Sequence, residues 1–376
     1  MYEAKTAMKL LINATNLHVG GGLQVATSFL YELQKLDVEG LELSIAVSST
    51  VDSNLVDCRD ILLRRFSYKV VDMSPWRSLT KLNELLQVDS FDVVFTIFGP
   101  HYCIRKPKRL IVGFAHPLIL FRSGPMWKHL SGFNFIIQKF KYFIQELFFL
   151  RSDVLIVEQK FLIEKLKKQF QFKKKQLRVV SNCLSSVYSN PDLWKSVKVP
   201  KGHGDYKIGF VGRNYPHKNT SIFPKVKSFL LEKYGILVDF YVTFNEAEWI
   251  DCPENFTNSV INVGPLLVEQ CPSFYQQMDA VLFPSRAECF SATPLEAMAM
   301  EKPVFLFDFV FNRETCGDHA IYLDDDDPET IAHCISEYIK SPKPKADIAL
   351  AKSHAIDSFS ARERAGKYLE IAKEPY

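Results

Sequence analysis

VLFPSRAECFSATPLEAMAM, residues 281–300, is the stretch from which the rest of the chain is best read. Val281 to Phe283 is a short apolar run of the kind that forms a fully buried strand, and Pro284-Ser285 stops it. Thr293 then reads as an N-cap, with Pro294 at the first helical position and Glu296 three residues after the cap. Strand, loop and helix in that order put the loop at the carboxyl end of a strand. Open α/β sheets bind ligands there, and a helix start offers unpaired N–H groups to an anion. Glu288 and Glu296 flank the loop in an E-x7-E spacing. Read alone, Glu296 is the reciprocal half of a capping box and Glu288 a solvated loop residue.

The chain has 376 residues, enough for two domains that each bury a core. Hydrophobic content of 47% and charged content of 24% describe a globular protein. Eight Cys lie scattered with no C-x-x-C pair and no metal-ligand spacing, which predicts reduced thiols in a cytoplasmic chain. Near the N-terminus the apolar segment Met8 to Ile12 is broken by Asn13, so neither a secretory signal nor a membrane span is expected. The net charge of +3 hides an asymmetry. From His101 to Arg178 there are 17 Lys/Arg against 4 Asp/Glu, an excess of 17 − 4 = +13, which points to an anionic partner for that region.

Strand signals recur along the chain, starting at Met8. Gly20-Gly-Gly follows, leading into a helix predicted over Gln24 to Leu36; the triplet reads either as a plain tight turn or as a loop that lets backbone approach a ligand. Further strands are predicted at Leu43–Val47, Val70-Val71, Val93–Phe98 and Arg109–Phe114, with a helix over Leu79 to Gln87. Ala115-His116-Pro117 puts a polar residue at the end of the last of these, where His116 is a turn residue or a catalytic one; His101 is a weaker candidate. FIIQKFKYFIQELFFL, residues 135–150, carries Ile136, Phe140, Phe143, Leu147 and Leu150 on one helical face, widened by Ile137, Ile144 and Phe148. So wide an apolar face predicts a core helix. Lys139, Lys141 and the upstream Trp127-Lys128 also fit a rim lying on anionic lipid.

Strands at Asp153–Val157 and Leu177–Val180 close the first half. The pattern restarts at Lys207–Val211, followed by Gly212-Arg213 and Lys218 in a strand-to-helix loop, then by strands at Val238–Val242, Ile261–Val263, Val281–Phe283, Val304–Phe307 and Ala320–Leu323. Asp324 to Asp327 resembles a metal site at first sight, but Asp327-Pro328-Glu329 is a good helix cap and first turn.

Apolar strand, Pro-Ser, Glu-x-Phe and Pro-Leu-Glu-Ala-Met-Ala together resemble the donor-site motif of retaining GT-B glycosyltransferases of glycosyltransferase family 4. The match extends to the Gly triplet after the first strand, to His116, and to the Gly-Arg and Lys pair at Arg213 and Lys218. The resemblance implies an α/β GT-B fold, two Rossmann-like doubly wound domains facing each other across a cleft. Its expected layout is an acceptor-binding domain over residues 1–185, a linker over 186–206, a nucleotide-sugar-binding domain over 207–355 and a C-terminal helix over 356–376 that crosses back to the first domain.

It further implies a retaining, metal-independent transfer from a nucleotide-diphosphate sugar, with no cofactor, to a lipid-linked or oligosaccharide acceptor. Lipopolysaccharide, O-antigen and capsule assembly are the expected settings, on the inner face of the cell membrane and against its anionic surface. By resemblance, His116 and Glu288 are the catalytic residues. The donor is expected to meet Gly21 and Gly22, Arg213 and Lys218 at the diphosphate, and Val263 and Gly264 near the base. Phe290, Ser291, Ala292 and Thr293 follow in the loop, with Glu296 on the ribose hydroxyls. Three places depart from the pattern: Cys289 stands where a Gly is usual, Ser291-Ala292-Thr293 is a polar variant of the loop, and Thr243-Phe244-Asn245 lacks glycines. A nucleotide-sugar 2-epimerase of similar fold and a non-catalytic homologue are the competing readings. No RNP, KH or helix-turn-helix signature suggests a nucleic-acid partner.

Overall fold

The computed structural model describes residues 7–18, 20–56, 58–73, 82–121 and 132–374. They divide into two compact units. The first runs from residue 7 to Cys183 and takes back the C-terminal stretch from Ala361; the second is Leu184–Ser360.

In the first unit seven strands make one sheet. They are β1 (Met8–Ala14), β2 (Leu41–Val47), β3 (Ser67–Val70), β4 (Val93–Thr96), β5 (Arg109–Phe114), β6 (Val154–Val157) and β7 (Gln176–Val179), in the order β3-β2-β1-β4-β5-β6-β7. Every neighbouring pair is parallel. The middle strands are apolar runs without alternation and are buried on both faces, as a sheet covered on both sides by helices requires. The last helix, Ala361–Lys373, completes this core: the Tyr368 ring sits 5.3 Å from Phe29 and 5.0 Å from Phe95. Arg364 donates to the Asn182 side chain at 2.6 Å, and Arg109 to the Ile371 carbonyl at 3.1 Å, which pins that helix at both ends.

The second unit repeats the plan with six parallel strands: β8 (Tyr206–Phe210), β9 (Val238–Val242), β10 (Val260–Asn262), β11 (Ala280–Phe283), β12 (Val304–Phe307) and β13 (Ile321–Leu323). Their order is β10-β9-β8-β11-β12-β13. In both sheets the chain builds outward from a central strand, returns, and builds the other way. The reversal falls between β1 and β4 in one unit and between β8 and β11 in the other, the place where doubly wound sheets open a crevice at their carboxyl ends.

Several expectations need correction. The Gly triplet is not a turn ahead of the helix; it is the helix's own first turn, Gly20–Leu33, with Gly20 at φ +71° where a side chain would be strained. Residues 186–206 are not a free linker. Tyr188 is buried in the second core, and Trp194, Val197 and Val199 pack against it, because those apolar side chains have a surface to cover.

The helix Gly132–Leu150 reverses the predicted burial. Phe133, Ile136, Ile137, Phe140, Phe143 and Leu147 face solvent, whereas Gln145, Glu146 and Phe149 are buried. The two buried polar groups are partnered: Gln145 donates to the Tyr102 hydroxyl at 2.9 Å, and Glu146 accepts from Gln171 at 2.8 Å. The expected helix from Leu79 and the Trp127-Lys128 pair fall partly or wholly outside the described residues. Asp327 does cap the helix Pro328–Lys340, accepting from the Thr330 N–H at 3.0 Å.

Candidate active site

The loops leaving β8 and β11 meet at the reversal point of the second sheet. Gly212, at φ +153°, turns the chain out of β8, and a Cβ there would press within 3.1 Å of the Phe210 ring. Its N–H donates to Thr243 Oγ1 at 3.1 Å. From the other loop, Thr293 Oγ1 donates to the Val211 carbonyl at 3.1 Å, and the Arg286 N–H to the His217 carbonyl at 2.8 Å. The two motifs are therefore stitched together by backbone and hydroxyl bonds. This also corrects the helix start: the cap position of Thr293–Ala299 is Ala292, whose methyl can make no capping bond, and Thr293, the first helical residue, uses its hydroxyl across the loop.

At the centre of that junction Lys218 Nζ lies 2.6 Å from Glu288 Oε1, with both side chains mostly buried (14% and 9% exposed). The fully buried Ser285 donates to the same carboxylate oxygen at 2.5 Å. The Lys218 ammonium also stands 5.0 Å above the Phe283 ring at the end of β11. A cation thus held is oriented by one carboxylate and one aromatic face, with donors left for a further anion.

Glu296 stands beside this group on the first turn of the Thr293–Ala299 helix. It accepts from the Tyr275 hydroxyl at 3.0 Å, and burial pushes its carboxyl pKa up against the opposing pull of that bond and of Lys218. Tyr188 contributes a buried hydroxyl beside it, and burial together with the Glu296 charge raises that hydroxyl's pKa.

Arg213 stands at the rim. Its side chain is half exposed, its Nε bonds Glu248 at 2.5 Å, and that carboxylate raises its pKa. Glu248 in turn belongs to the capping box of the short helix Glu246–Ile250. Val263 and Gly264 leave β10, two strands over from β8, roughly 10 Å away by strand spacing. Gly264 sits at φ +85° with its N–H on the Asn262 side chain. Phe290 packs its ring 5.9 Å from Phe359, and Ser291 and Ala292 are half-buried in the loop. Lys218, Glu288, Glu296 and Thr293 are thus brought together, with Arg213 half exposed on the loop after β8 and Val263 and Gly264 farther along the sheet edge.

His116 belongs to the first unit. It follows β5 and lines a cavity of about 830 Å³ with Asn16, His18, Asp72, Tyr102 and Gln145 at the carboxyl ends of β1 and β4. Its ring stands edge-on to Tyr142 and Phe149, each 5.9 Å away. Burial there, helped by the nearby Lys141 charge, holds its pKa down to about 4. Gly21 and Gly22 do not line this cavity; a Cβ on Gly22 would meet Leu17 at 3.1 Å, so that glycine serves packing. His101 is fully buried behind it, with Nδ1 2.8 Å from the Thr96 hydroxyl and Nε2 without a partner, and burial lowers its pKa to about 4 as well.

Sequence reasoning missed Ser285, although a Ser three residues before Glu288 was a legible signal. It also missed Tyr275, Tyr102, Asp72 and Gln145, which reach their places through tertiary contacts that no spacing announces. Among the described residues no cluster of three or more His, Cys, Asp or Glu is arranged to hold a metal ion.

Two doubly wound Rossmann-like units match the GT-B architecture of solved glycosyltransferases. Residues 205–341, within the second unit, match the family model described as Glycosyl transferases group 1. The chain is 24% identical over 173 residues to the O-antigen chain mannosyltransferase RfbU of Salmonella typhimurium, covering 45% of this chain and 48% of that relative. It therefore spans about half the length of that curated relative.

Solved structures resemble nearly the whole chain. A glycosyltransferase from Rickettsia africae superposes with a TM-score of 0.65 at 16% identity, covering 98% of both chains. Anabaena HepE, solved with UDP and glucose, gives 0.64 at 15% identity over 97% of this chain and 99% of that one. Sucrose-phosphate synthase from Thermosynechococcus elongatus gives 0.67 at 13% identity, over 96% and 97%. At these identities the likeness is one of fold.

Proposed function

We propose that this chain is a glycosyltransferase that moves a sugar from a nucleoside-diphosphate donor to a glycan acceptor carried on lipid, in the assembly of a surface polysaccharide. The observation that carries the reading is the buried Lys218–Glu288–Ser285 group at the reversal point of the second sheet, within the matched group 1 segment. The RfbU likeness favours a mannose-type donor and an O-antigen-type acceptor.

A glycosyl donor breaks its C1–oxygen bond as negative charge grows on the departing diphosphate. Fixed cations aimed at that charge lower the barrier most when they need no rearrangement. Lys218 supplies such a cation, and Arg213 at the mouth offers its planar guanidinium to a second phosphate. Glu288 orients Lys218 and takes a hydroxyl of the donor sugar, and Glu296 takes the ribose hydroxyls. The acceptor occupies the first unit's cavity, where Asn16, Asp72 and Gln145 supply the mixed donors and acceptors that a polyhydroxylated ligand needs, and burial lowers the pKa of the His116 ring among them. We read the transfer as retaining and independent of metal: the acceptor oxygen attacks C1 on the face the diphosphate leaves, and its proton passes to the departing phosphate oxygen.

The test is a panel of nucleoside diphosphates and their sugars. One of them should raise the melting temperature of the wild type, and Lys218→Ala should abolish the shift. A panel that stabilises neither protein would remove the donor site.

A further inference from the structure

The helix Gly132–Leu150 is built inside out. Its inward face carries Gln145 and Glu146, both buried and hydrogen-bonded, while Phe133, Ile136, Ile137, Phe140, Phe143 and Leu147 form one stripe open to solvent. Phe133, Phe140 and Ile136 are 75%, 64% and 63% exposed, so the stripe projects rather than lying in a shallow groove. Six large apolar residues at i, i+3, i+4, i+7, i+10 and i+14 stay on one side of a helix, far from the scattered exposure that needs no explanation.

At 100° per residue, Lys139 and Lys141 fall on opposite flanks of the stripe. Their ammonium groups lie 5.4 Å from the Phe135 ring and 5.7 Å from the Tyr142 ring. The acidic residue of this helix, Glu146, is the one turned inward. The neighbouring helix Lys160–Lys168 adds Lys165, Lys167 and Lys168 in its last turn, and residues 132–178 together hold 11 Lys/Arg against 4 Asp/Glu.

We propose that this helix lies flat in the surface of an anionic lipid bilayer, its phenylalanine stripe sunk among the acyl chains and its flanking lysines at the headgroups. An apolar face alone does not choose an occupant; the charge does. A second copy docked on the same face would bring two basic surfaces together, whereas anionic headgroups neutralise them. Apolar stripe below and cations at its two edges is also the layout in which long lysine stems reach the interface while the rings stay in hydrocarbon. No helix among the described residues is long and apolar enough to cross a membrane, so the helix rests on the surface. The proposal gives the transfer reaction a lipid-borne substrate within reach, but it stands on the surface itself and not on the donor site.

The experiment is sedimentation of the full chain with vesicles of phosphatidylglycerol and phosphatidylcholine, and with phosphatidylcholine alone, at low and high salt. The wild type should partition onto the anionic vesicles and release partly at high salt. Phe140→Asp with Phe143→Asp should lower partitioning about tenfold or more at either salt. Lys139→Glu with Lys141→Glu should lower it about thirtyfold or more and flatten the salt dependence, the fold-change to which about 1 kcal/mol for each of two cations near the surface converts. All four positions lie outside the core, so melting temperatures should stay within a few degrees of wild type. As a second readout, Phe140→Trp should add fluorescence that shifts to the blue on anionic vesicles.

Vesicle binding that ignores the Phe140/Phe143 double variant overturns the proposal, as does a wild type that fails to bind at low salt. A wild-type dimer that this variant breaks, without vesicle binding, would assign the stripe to a second copy. Nucleoside-diphosphate binding measured on the same variants should not change, which separates failure here from failure of the donor site.

Discussion

The two units share one wiring diagram and set different side chains at the same point in it. At the reversal point of the second sheet stand charges that neutralise one another, with Lys218 against Glu288 at 2.6 Å and Arg213 against Glu248 at 2.5 Å. At the matching point of the first sheet the cavity is lined by amides, a tyrosine, a carboxylate and imidazoles, and burial lowers the pKa of the His116 ring among them. A parallel sheet with a central strand fixes where a crevice opens, and the loops decide what fills it. In the proposed function, the second unit's loops meet the charged leaving group and the first unit's cavity meets the polyol.

The sharpest way to break this contrast is at Lys218. Lys218→Ala removes the fixed cation and leaves the buried Glu288 carboxylate with Ser285 alone. Turnover should fall by about a hundredfold to a thousandfold. Stability should fall by about 3 kcal/mol, the scale for stranding one partner of a buried pair. Lys218→Met with Glu288→Gln should recover most of the stability and none of the turnover, as read by denaturant unfolding beside a transfer assay. If the double variant regained activity, the pair would be structural only.

His116 tests the other unit. His116→Gln should lower turnover by about a hundredfold while leaving nucleotide affinity unchanged, since no donor phosphate contact is lost. The acid dependence follows from its depressed pKa. The folded value of about 4 lies below the ordinary 6.5, so the neutral ring contributes stability that is complete above pH 6.5 and is lost as pH falls toward 4. His101 adds to the same slope for the same reason. Melting temperature followed from pH 7 to pH 4 should drop, and should drop less in the His101→Gln, His116→Gln double variant. A slope that survives both substitutions would place the acid sensitivity elsewhere.

Much of this contrast is legible in the sequence, and the reason differs from place to place. The strands of both sheets stand out because parallel strands buried on two faces are short, continuous apolar runs, such as RLIVGF at β5 and AVLF at β11. The loops between them are legible as well, since Gly212 and the Lys218 segment follow β8 directly. The helix Lys345–Ser358 is silent for the opposite reason: it buries Ala351 and Ala355, too little apolar surface to print a period. The outward stripe of Gly132–Leu150 is the instructive miss. An apolar face predicts burial, and periodicity cannot say in what. Only the inward placement of Gln145 and Glu146 shows that this face turns away from the protein core.

Thr293 offers a milder probe. Its hydroxyl ties the start of the Thr293–Ala299 helix to the Val211 carbonyl, so Thr293→Val keeps the shape and drops the bond. A loss of about 1 kcal/mol in stability is expected, together with a several-fold rise in the KM for the donor, because the two loops that hold it are no longer tied. Thr293→Ser should restore both. Unchanged KM in the valine variant would mean that the loops are held by the Arg286–His217 backbone bond without help from the hydroxyl.

The smallest effect is expected at Glu296, where its sign is the informative part. Burial raises this carboxyl's pKa above its ordinary 4.5 even though the Tyr275 bond and the Lys218 charge pull it down. The folded protein therefore holds that proton more tightly than the unfolded chain does. Its contribution to stability is complete below pH 4.5 and is lost as pH rises through the raised value. Glutamine imitates the protonated acid at every pH and still accepts from the Tyr275 hydroxyl. Glu296→Gln should thus match wild type in acid and become the more stable of the two as neutrality is approached, while binding the donor more weakly because a carboxylate accepts ribose hydroxyls better than an amide. A less stable glutamine variant at pH 7 would mean that Lys218 and Tyr275 outweigh burial. The ionised carboxylate would then be part of the same neutralised charge cluster as Glu288, rather than a group held in reserve for the ligand.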